Sequence, residues 1–338
     1  MKGRPSCRMP AMSAEAADLR LEQATGWARR VLGEDGLQVE PISADASFRR
    51  YFRVHRESGA EPLVLMDAPP EREDSSPFLD IAARLRIAGL HAPEILHFNL
   101  KQGFGIIEDL GDTLYRQVID ARSAPALFPH LFEVLARMAR EVSAQGLPPY
   151  DETLLQKELE LFPDWYLDRH KKWPFSAAQR VCWITLCRAL IDSARRQPQV
   201  FVHRDFHSCN LMFRDGEAPG IIDFQDAVRG PLSYDFISLI WDRYIHWPRA
   251  QLEQWMSDMH ARLEPGFGLE DWIRYCDLMG LQRNLKVVGI FARLRYRDHR
   301  QGYIEMIPMF FRYLLEILPR YPEFSEFQSI LEDDTCAP

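Results

Sequence analysis

The sequence predicts an α+β protein of two lobes: a small antiparallel β-sheet lobe carrying a helix, then a larger, mainly helical lobe. Three observations lead there. Short β-branched and aromatic runs separated by polar or glycine-bearing turns crowd into the first 110 residues. Helical periodicity dominates almost everything after Gly111. A polar stretch from 203 to 210, followed by two short apolar runs, interrupts those helices once.

In order, residues 14–32 place Ala17, Leu21, Ala24, Trp27, Ala28 and Val31 at helical spacing and stop at Gly33. Strands are expected at 37–42, 48–55 and 62–66, with 43–47 and 57–60 as hairpin-like separators. A helix over 78–88 ends at Gly89, and strands at 94–98 and 104–108 meet at the turn Lys101-Gln102-Gly103. Past the acidic linker Glu108-Asp109-Leu110-Gly111, helices are expected over 115–119, 127–145, 153–168 and 177–195. Further helices follow at 233–244, 249–263, 269–296 (broken near Gly280) and 301–318, with short strands at 211–213 and 220–223. The domain division is therefore a disordered leader over 1–12, a β-rich N-terminal lobe over 13–110 and a helical C-terminal lobe over 111–338.

Composition excludes several classes. With 46% hydrophobic and 27% charged residues, the 338-residue chain is globular rather than disordered. A net charge of −8 argues against nucleic-acid partners or an anionic membrane, which need a basic surface. No apolar run has the length of a membrane span, and 1–12 lacks the apolar core of a signal peptide. The six cysteines form no C-x-x-C pair, so reduced thiols in a cytoplasmic protein are expected.

Chemistry concentrates in His203-Arg204-Asp205-Phe206-His207-Ser208-Cys209-Asn210 and, thirteen residues after the asparagine, Asp223 at the end of Gly220-Ile221-Ile222. Phosphoryl transfer from a nucleotide needs a carboxylate beside the attacking hydroxyl, with an amide and a second carboxylate to hold Mg²⁺. Asp205 is the expected catalytic base, Asn210 and Asp223 the expected metal ligands, and ATP with Mg²⁺ the expected cofactors. His203 and His207, four apart, give a weaker account as a metal pair, because no H-E-x-x-H accompanies them.

These motifs resemble the aminoglycoside phosphotransferase branch of the protein-kinase-like fold over nearly the whole chain. Within it, Asp45–Arg53, Ile106–Asp112, Gly230–Asp235 and Gln282–Leu294 look like the bacterial anomeric kinases that phosphorylate N-acetylmuramate and N-acetylglucosamine at C1 in peptidoglycan recycling. The resemblance implies that Glu108 to Leu110 form the hinge that receives adenine, that Ser43 to Arg50, including Ser47 and Arg49, cover the phosphates, and that Asp235 braces the catalytic loop. It also implies an amino-sugar acceptor whose 1-phosphate feeds a nucleotidyltransferase. Two positions depart from the family: the phosphate loop has no glycine, and Met66 stands where a phosphate-pairing lysine is usual. Arg49 or Arg50 is the expected replacement cation.

In this fold the C-terminal helices would wall the acceptor pocket. Gln282 to Arg300 holds six cations against Asp298 alone, which suits an acidic acceptor; Arg283 and Asn284 are the expected sugar contacts, and a solvated basic helix face is the competing account. Phe162, Trp165 and Tyr166 form a candidate stacking platform for a sugar ring, with core packing as the alternative. Two rival functions stay open: a kinase for another small hydroxyl compound, such as an aminoglycoside or a choline-like alcohol, and a nucleotide-binding scaffold without catalysis. A protein kinase fits less well, since nothing after Asp223 resembles an activation loop ending in A-P-E.

Overall fold

The computed structural model describes residues 14–42, 49–333, 336 and 338; the leader 1–12 and the phosphate-loop candidates Ser43 and Ser47 lie outside them. The chain divides into two compact units, Met1–Ala83 with Pro93–Leu110 and Arg84–Ala92 with Gly111–Pro338. Among the described residues no helix is long and apolar enough to cross a membrane, and the described cysteines are all free thiols.

The first unit is built on α1 (Ala14–Leu32) and a five-stranded antiparallel sheet. Its strands are β1 (Gln38–Pro41), β2 (Arg50–His55), β3 (Leu63–Asp67), β4 (Ile95–Asn99) and β5 (Phe104–Glu108), in the order β1-β2-β3-β5-β4. Side chains alternate across a pleated strand. Phe52 and Val54, Leu63 and Leu65, and Phe104 and Ile106 therefore share one face, where they bury against Ala24, Trp27 and Ala28 of α1. Met66 falls on the opposite face, beside Gly105 in the β3–β5 register. At the end of β3 the fully buried Asp67 accepts Arg20 Nη2 and Arg50 Nη2, each at 2.5 Å, tying α1 and β2 to the same strand end. The helix α2 (Ser76–Ile87) follows β3 in sequence.

The second unit is mostly helical: α3 (Tyr115–Val118), α4 (Ala124–Glu141), α5 (Glu152–Leu159) and α6 (Ala177–Arg196) precede the polar stretch. Two small antiparallel pairs flank that stretch, β6 (Gln199–Val202) with β9 (Val228–Pro231) and β7 (Leu211–Met212) with β8 (Gly220–Ile221). The helices α7 (Tyr234–Ile240), α8 (Arg249–Leu263), α9 (Leu269–Tyr296), α10 (Ile307–Ile317) and α11 (Ser325–Leu331) complete it. The α9 helix packs against α5, α6, α7, α8 and α10.

Several elements differ from the sequence expectation. The helix expected over 153–168 splits into α5, capped by Asp151 Oδ1 on Leu154 N at 2.9 Å, and a π-helix over Phe162–Lys171. Pro163 has no N–H to bond back to Leu159, so the α ladder is interrupted there. The break expected at Gly280 is absent: α9 runs unbroken, and a Cβ at 280 would lie 2.2 Å from Trp241 Cζ3. That glycine makes room for an indole rather than ending a helix. Gly289 serves the same purpose against backbone, since its Cβ would lie 2.3 Å from the Leu161 carbonyl carbon. The helix expected over 233–244 stops at Ile240, and the β6–β9 pair was not anticipated, because four-residue runs carry little periodic signal.

Gly289→Ala should lower stability by about 1–3 kcal/mol, as overpacking against an immovable backbone does. Gly26→Ala, inside α1 with only Arg30 Nη1 at 3.9 Å from the new methyl, should instead stabilise by about 0.5–1 kcal/mol. Urea unfolding midpoints of the two variants, shifted in opposite directions from the wild type, are the check.

Candidate active site

The loop that leaves β6 is shaped by one carboxylate. Asp235, in the first turn of α7, accepts His203 N at 2.6 Å on Oδ2 and Arg204 N at 3.0 Å on Oδ1. Two consecutive amides turned to one side chain force a reversal, and Arg204 takes a left-handed φ of 76°. His203 points inward, donating from Nε2 to Ile222 O at 3.0 Å while its Nδ1 accepts Asp205 N at 3.3 Å. Burial pushes this imidazole down, so it is neutral in the tautomer those two contacts require. Asp205 is left exposed at the turn. Burial pushes the Asp235 carboxyl up to about 7, even though both amides pull it down.

Asn210 links the backbone of Asp205 to the side chain of Asp223. Its Nδ2 donates to Asp205 O at 3.0 Å and lies 3.4 Å from Asp223 Oδ2. The β7–β8 pair sets this spacing, and Ile222 N bonds Asn210 O at 3.1 Å just beyond it. Asp223 has a φ of 62°, and Gln225 Nε2 holds its Oδ1 at 2.8 Å. With the amide nitrogen engaged by Asp205 and Asp223, Oδ1 is the end of Asn210 available to a cation. One amide oxygen and one carboxylate make a hard-oxygen donor set, and Mg²⁺ keeps several waters or phosphate oxygens of its own. The residues present therefore fit that ion; among the described residues no cluster of three His, Cys, Asp or Glu offers a different metal site.

Behind Asp205 lies a buried charge network that sequence reading missed. Glu158 and Lys286 are 7% and 6% exposed. Glu158 Oε1 accepts Arg204 Nη2 at 2.7 Å, its Oε2 accepts the Tyr150 hydroxyl, and Lys286 Nζ stands 3.7 Å from that Oε2 while donating to Tyr234 Oη at 2.5 Å. Burial alone would lower Lys286, but Glu158, Tyr234 and Asp205 outweigh it and lift its proton affinity. Desolvation by the surrounding protein would push the solvent-facing Asp205 up, yet neighbouring cations overcome it and hold the carboxyl below its ordinary range. Lys286 leads them, with His207, His203 and Arg204 after it. At neutral pH the two imidazoles are uncharged, His207 being pulled down by burial to about 4, so Lys286 and Arg204 carry that effect. A signal existed in the sequence: Lys286 sits among Leu285, Val287 and Val288, an apolar setting for a cation.

The remaining expected residues are spread more widely. Glu108 Oε2 accepts Glu94 N at 3.0 Å, Leu110 is buried, and Asp109 between them is gripped by Arg53 through Nε at 2.5 Å and Nη2 at 3.1 Å. Arg50 is bound to Asp67, and Arg49 Nη2 lies 2.5 Å from Glu73 Oε1 with its Cζ 5.3 Å from the Phe78 ring centroid. On α9, Arg283 is buried with an unsatisfied Nη1, while Asn284, fully buried, turns Nδ2 to Phe310 O at 3.4 Å. A solvated basic face is thus wrong for Arg283 and Lys286. The stacking platform is corrected as well: Phe162 and Tyr166 are fully buried among Trp183, Phe311 and Phe327. Helical spacing cannot tell a core aromatic from an exposed one.

Comparison with known proteins agrees with this arrangement. A profile of the "Phosphotransferase enzyme family" matches residues 38–272. A Pseudomonas aeruginosa protein named N-acetylmuramate/N-acetylglucosamine kinase is 40% identical over 329 residues, covering 93% of this chain and 96% of its own. Among solved structures, a Plasmodium vivax ethanolamine kinase matches with a TM-score of 0.64 at 13% identity, over 94% of this chain and 93% of that one. An ADP-bound aminoglycoside phosphotransferase matches with a TM-score of 0.57 at 14% identity, over 86% and 96%. At such identities the structures speak for the fold alone, which is bilobal, α+β and protein-kinase-like. By family match and by relationship along nearly its full length, the chain belongs to the phosphotransferase enzyme family.

Proposed function

We propose that this enzyme uses ATP and Mg²⁺ to phosphorylate the anomeric C1 hydroxyl of N-acetylmuramate and N-acetylglucosamine, giving the sugar 1-phosphates. The observation that carries the reaction is the placement of the Asn210 amide, which bonds the backbone carbonyl of Asp205 and lies 3.4 Å from Asp223 Oδ2. The name of the 40%-identical relative supports the choice of acceptors.

Asp205 orients the acceptor hydroxyl and takes its proton late in a loose transition state, where positioning and charge neutralisation do most of the work. Lys286 and Arg204 keep its carboxylate ionised. The ring oxygen makes an anomeric hydroxyl more acidic than an ordinary alcohol, which eases that step. Mg²⁺, when bound, neutralises charge on the nucleotide phosphates. Asn210 Oδ1 and the Asp223 carboxylate are its proposed protein ligands. In the first unit, the backbone from Glu108 to Leu110 is the proposed adenine contact, with Ser43, Ser47, Arg49 and Arg50 toward the phosphates. Arg283 is the proposed acceptor contact on α9, and the buried Asn284 serves instead to hold α9 on α10.

A panel assay tests the reaction. Mg-ATP with N-acetylmuramate or N-acetylglucosamine should release ADP well above choline or kanamycin, with phosphorus NMR placing the phosphate on C1. Chelation should stop turnover and added Mg²⁺ should restore it. Absence of ADP release with every acceptor would favour the scaffold reading. Asp205→Ala should lower kcat by about 10²–10⁴, whereas Asp205→Asn should retain measurable turnover. Lys286→Met removes the leading cation beside Asp205, so its pKa rises and the acid limb of the kcat/KM profile moves to higher pH. An unmoved limb in a folded variant would refute that electrostatic role. Arg49→Ala or Arg50→Ala should raise KM for ATP, and if neither does, the replacement of the missing strand lysine lies elsewhere.

A further inference from the structure

Two guanidinium groups of the second unit approach the catalytic loop without a salt bridge among the described residues, Arg243 near Asp242 and Arg283 near Asp235. The segment leaving α7 folds back onto residues 208 and 209. Asp242 Oδ2 accepts Ser208 N at 3.2 Å and also its hydroxyl, and Tyr244 Oη receives the Cys209 thiol at 3.3 Å. Arg243, between Asp242 and Tyr244, lies close to Cys209, the neighbour of Asn210, with its Cζ 5.1 Å from the Tyr244 ring centroid. Arg283 comes from α9. Both cations act on the His207 imidazole, two residues from Asp205.

The polar inventory there is unbalanced. Arg243 Nε, Arg283 Nη1 and His207 Nδ1 are all buried without a hydrogen-bond partner, and among the described residues neither arginine is in a salt bridge. Buried donors without acceptors are costly, and guanidinium donors have the fixed geometry that suits a carboxylate. His207 is neutral at pH 7 and supplies no counter-charge. The missing acceptor is therefore expected to arrive with a ligand, within a few residues of the group that handles the reacting hydroxyl.

We infer that Arg243 and Arg283, beside His207, form a carboxylate-binding subsite for an acidic substituent of the sugar acceptor. This deepens the sugar-kinase reading and rests on it. It predicts a preference for an acidic sugar over its neutral counterpart, set mainly through KM.

N-acetylmuramate and N-acetylglucosamine are a matched pair, since the first carries a lactyl carboxylate that the second lacks. The ratio of their kcat/KM values should fall about 10- to 100-fold in Arg243→Met, as expected for loss of a charge-assisted contact, and Arg243→Lys should recover part of it. Arg243 is only half-buried, so it carries the test if Arg283→Met fails to fold; thermal unfolding identifies folded variants. An unchanged ratio in folded Arg243→Met, or equal loss for both sugars, overturns the subsite alone. No turnover of either sugar by the wild type overturns the sugar-kinase reading and the subsite with it.

Discussion

Everything chemical in this protein depends on the Asp235 carboxylate taking the amides of His203 and Arg204, one on each oxygen. Left-handed backbone costs an L-residue about 1–2 kcal/mol, and Arg204 adopts it because those two bonds leave no other path. The reversal sends His203 inward to the Ile222 carbonyl and Asp205 outward to solvent. The same histidine ties the loop to the residue preceding Asp223, so Asp205 and Asp223 share one scaffold. Burial favours the protonated form of Asp235 and the two amides oppose it, leaving the carboxyl raised to about 7.

A second layer sets electrostatics rather than shape. Glu158, Lys286, Tyr234, Tyr150 and Arg204 form a buried group in which each charge has an opposite neighbour or a hydroxyl. Buried ion pairs are weak grounds for stability, because desolvation offsets the attraction. Their value here lies in charge at a chosen place. Lys286 and Arg204 bring positive potential to the rear of an exposed carboxylate, which favours its ionised form without covering the face that would meet a substrate.

The surroundings of the site bear on the choice of acceptor. A polycationic acceptor would need carboxylates near the base. Here Arg243 and Arg283 each keep a buried donor without a hydrogen-bond partner, and the nearby acids Asp235 and Asp242 are already taken up by backbone amides and by Ser208. That sign agrees with the relationship to an amino-sugar kinase and not with an aminoglycoside acceptor.

The positions of Asp205, Asn210 and Asp223 were legible in sequence because spacing along one short loop and one hairpin is a local property. So were the five strands and most helices, whose apolar residues repeat at the period of the element that buries them. Burial was not legible. Helical spacing places Phe162, Tyr166, Arg283 and Lys286 on helix faces but does not say which face meets protein, so Phe162 and Tyr166 became core, Arg283 became buried and Lys286 joined an internal charge network. Gly280 read as a helix breaker, when only the approach of Trp241 from another element explains it. Local patterning determined the elements and singled out Asp205, Asn210 and Asp223. The partners that tune those side chains come from helices distant along the chain, and only tertiary packing could decide which charges are buried together.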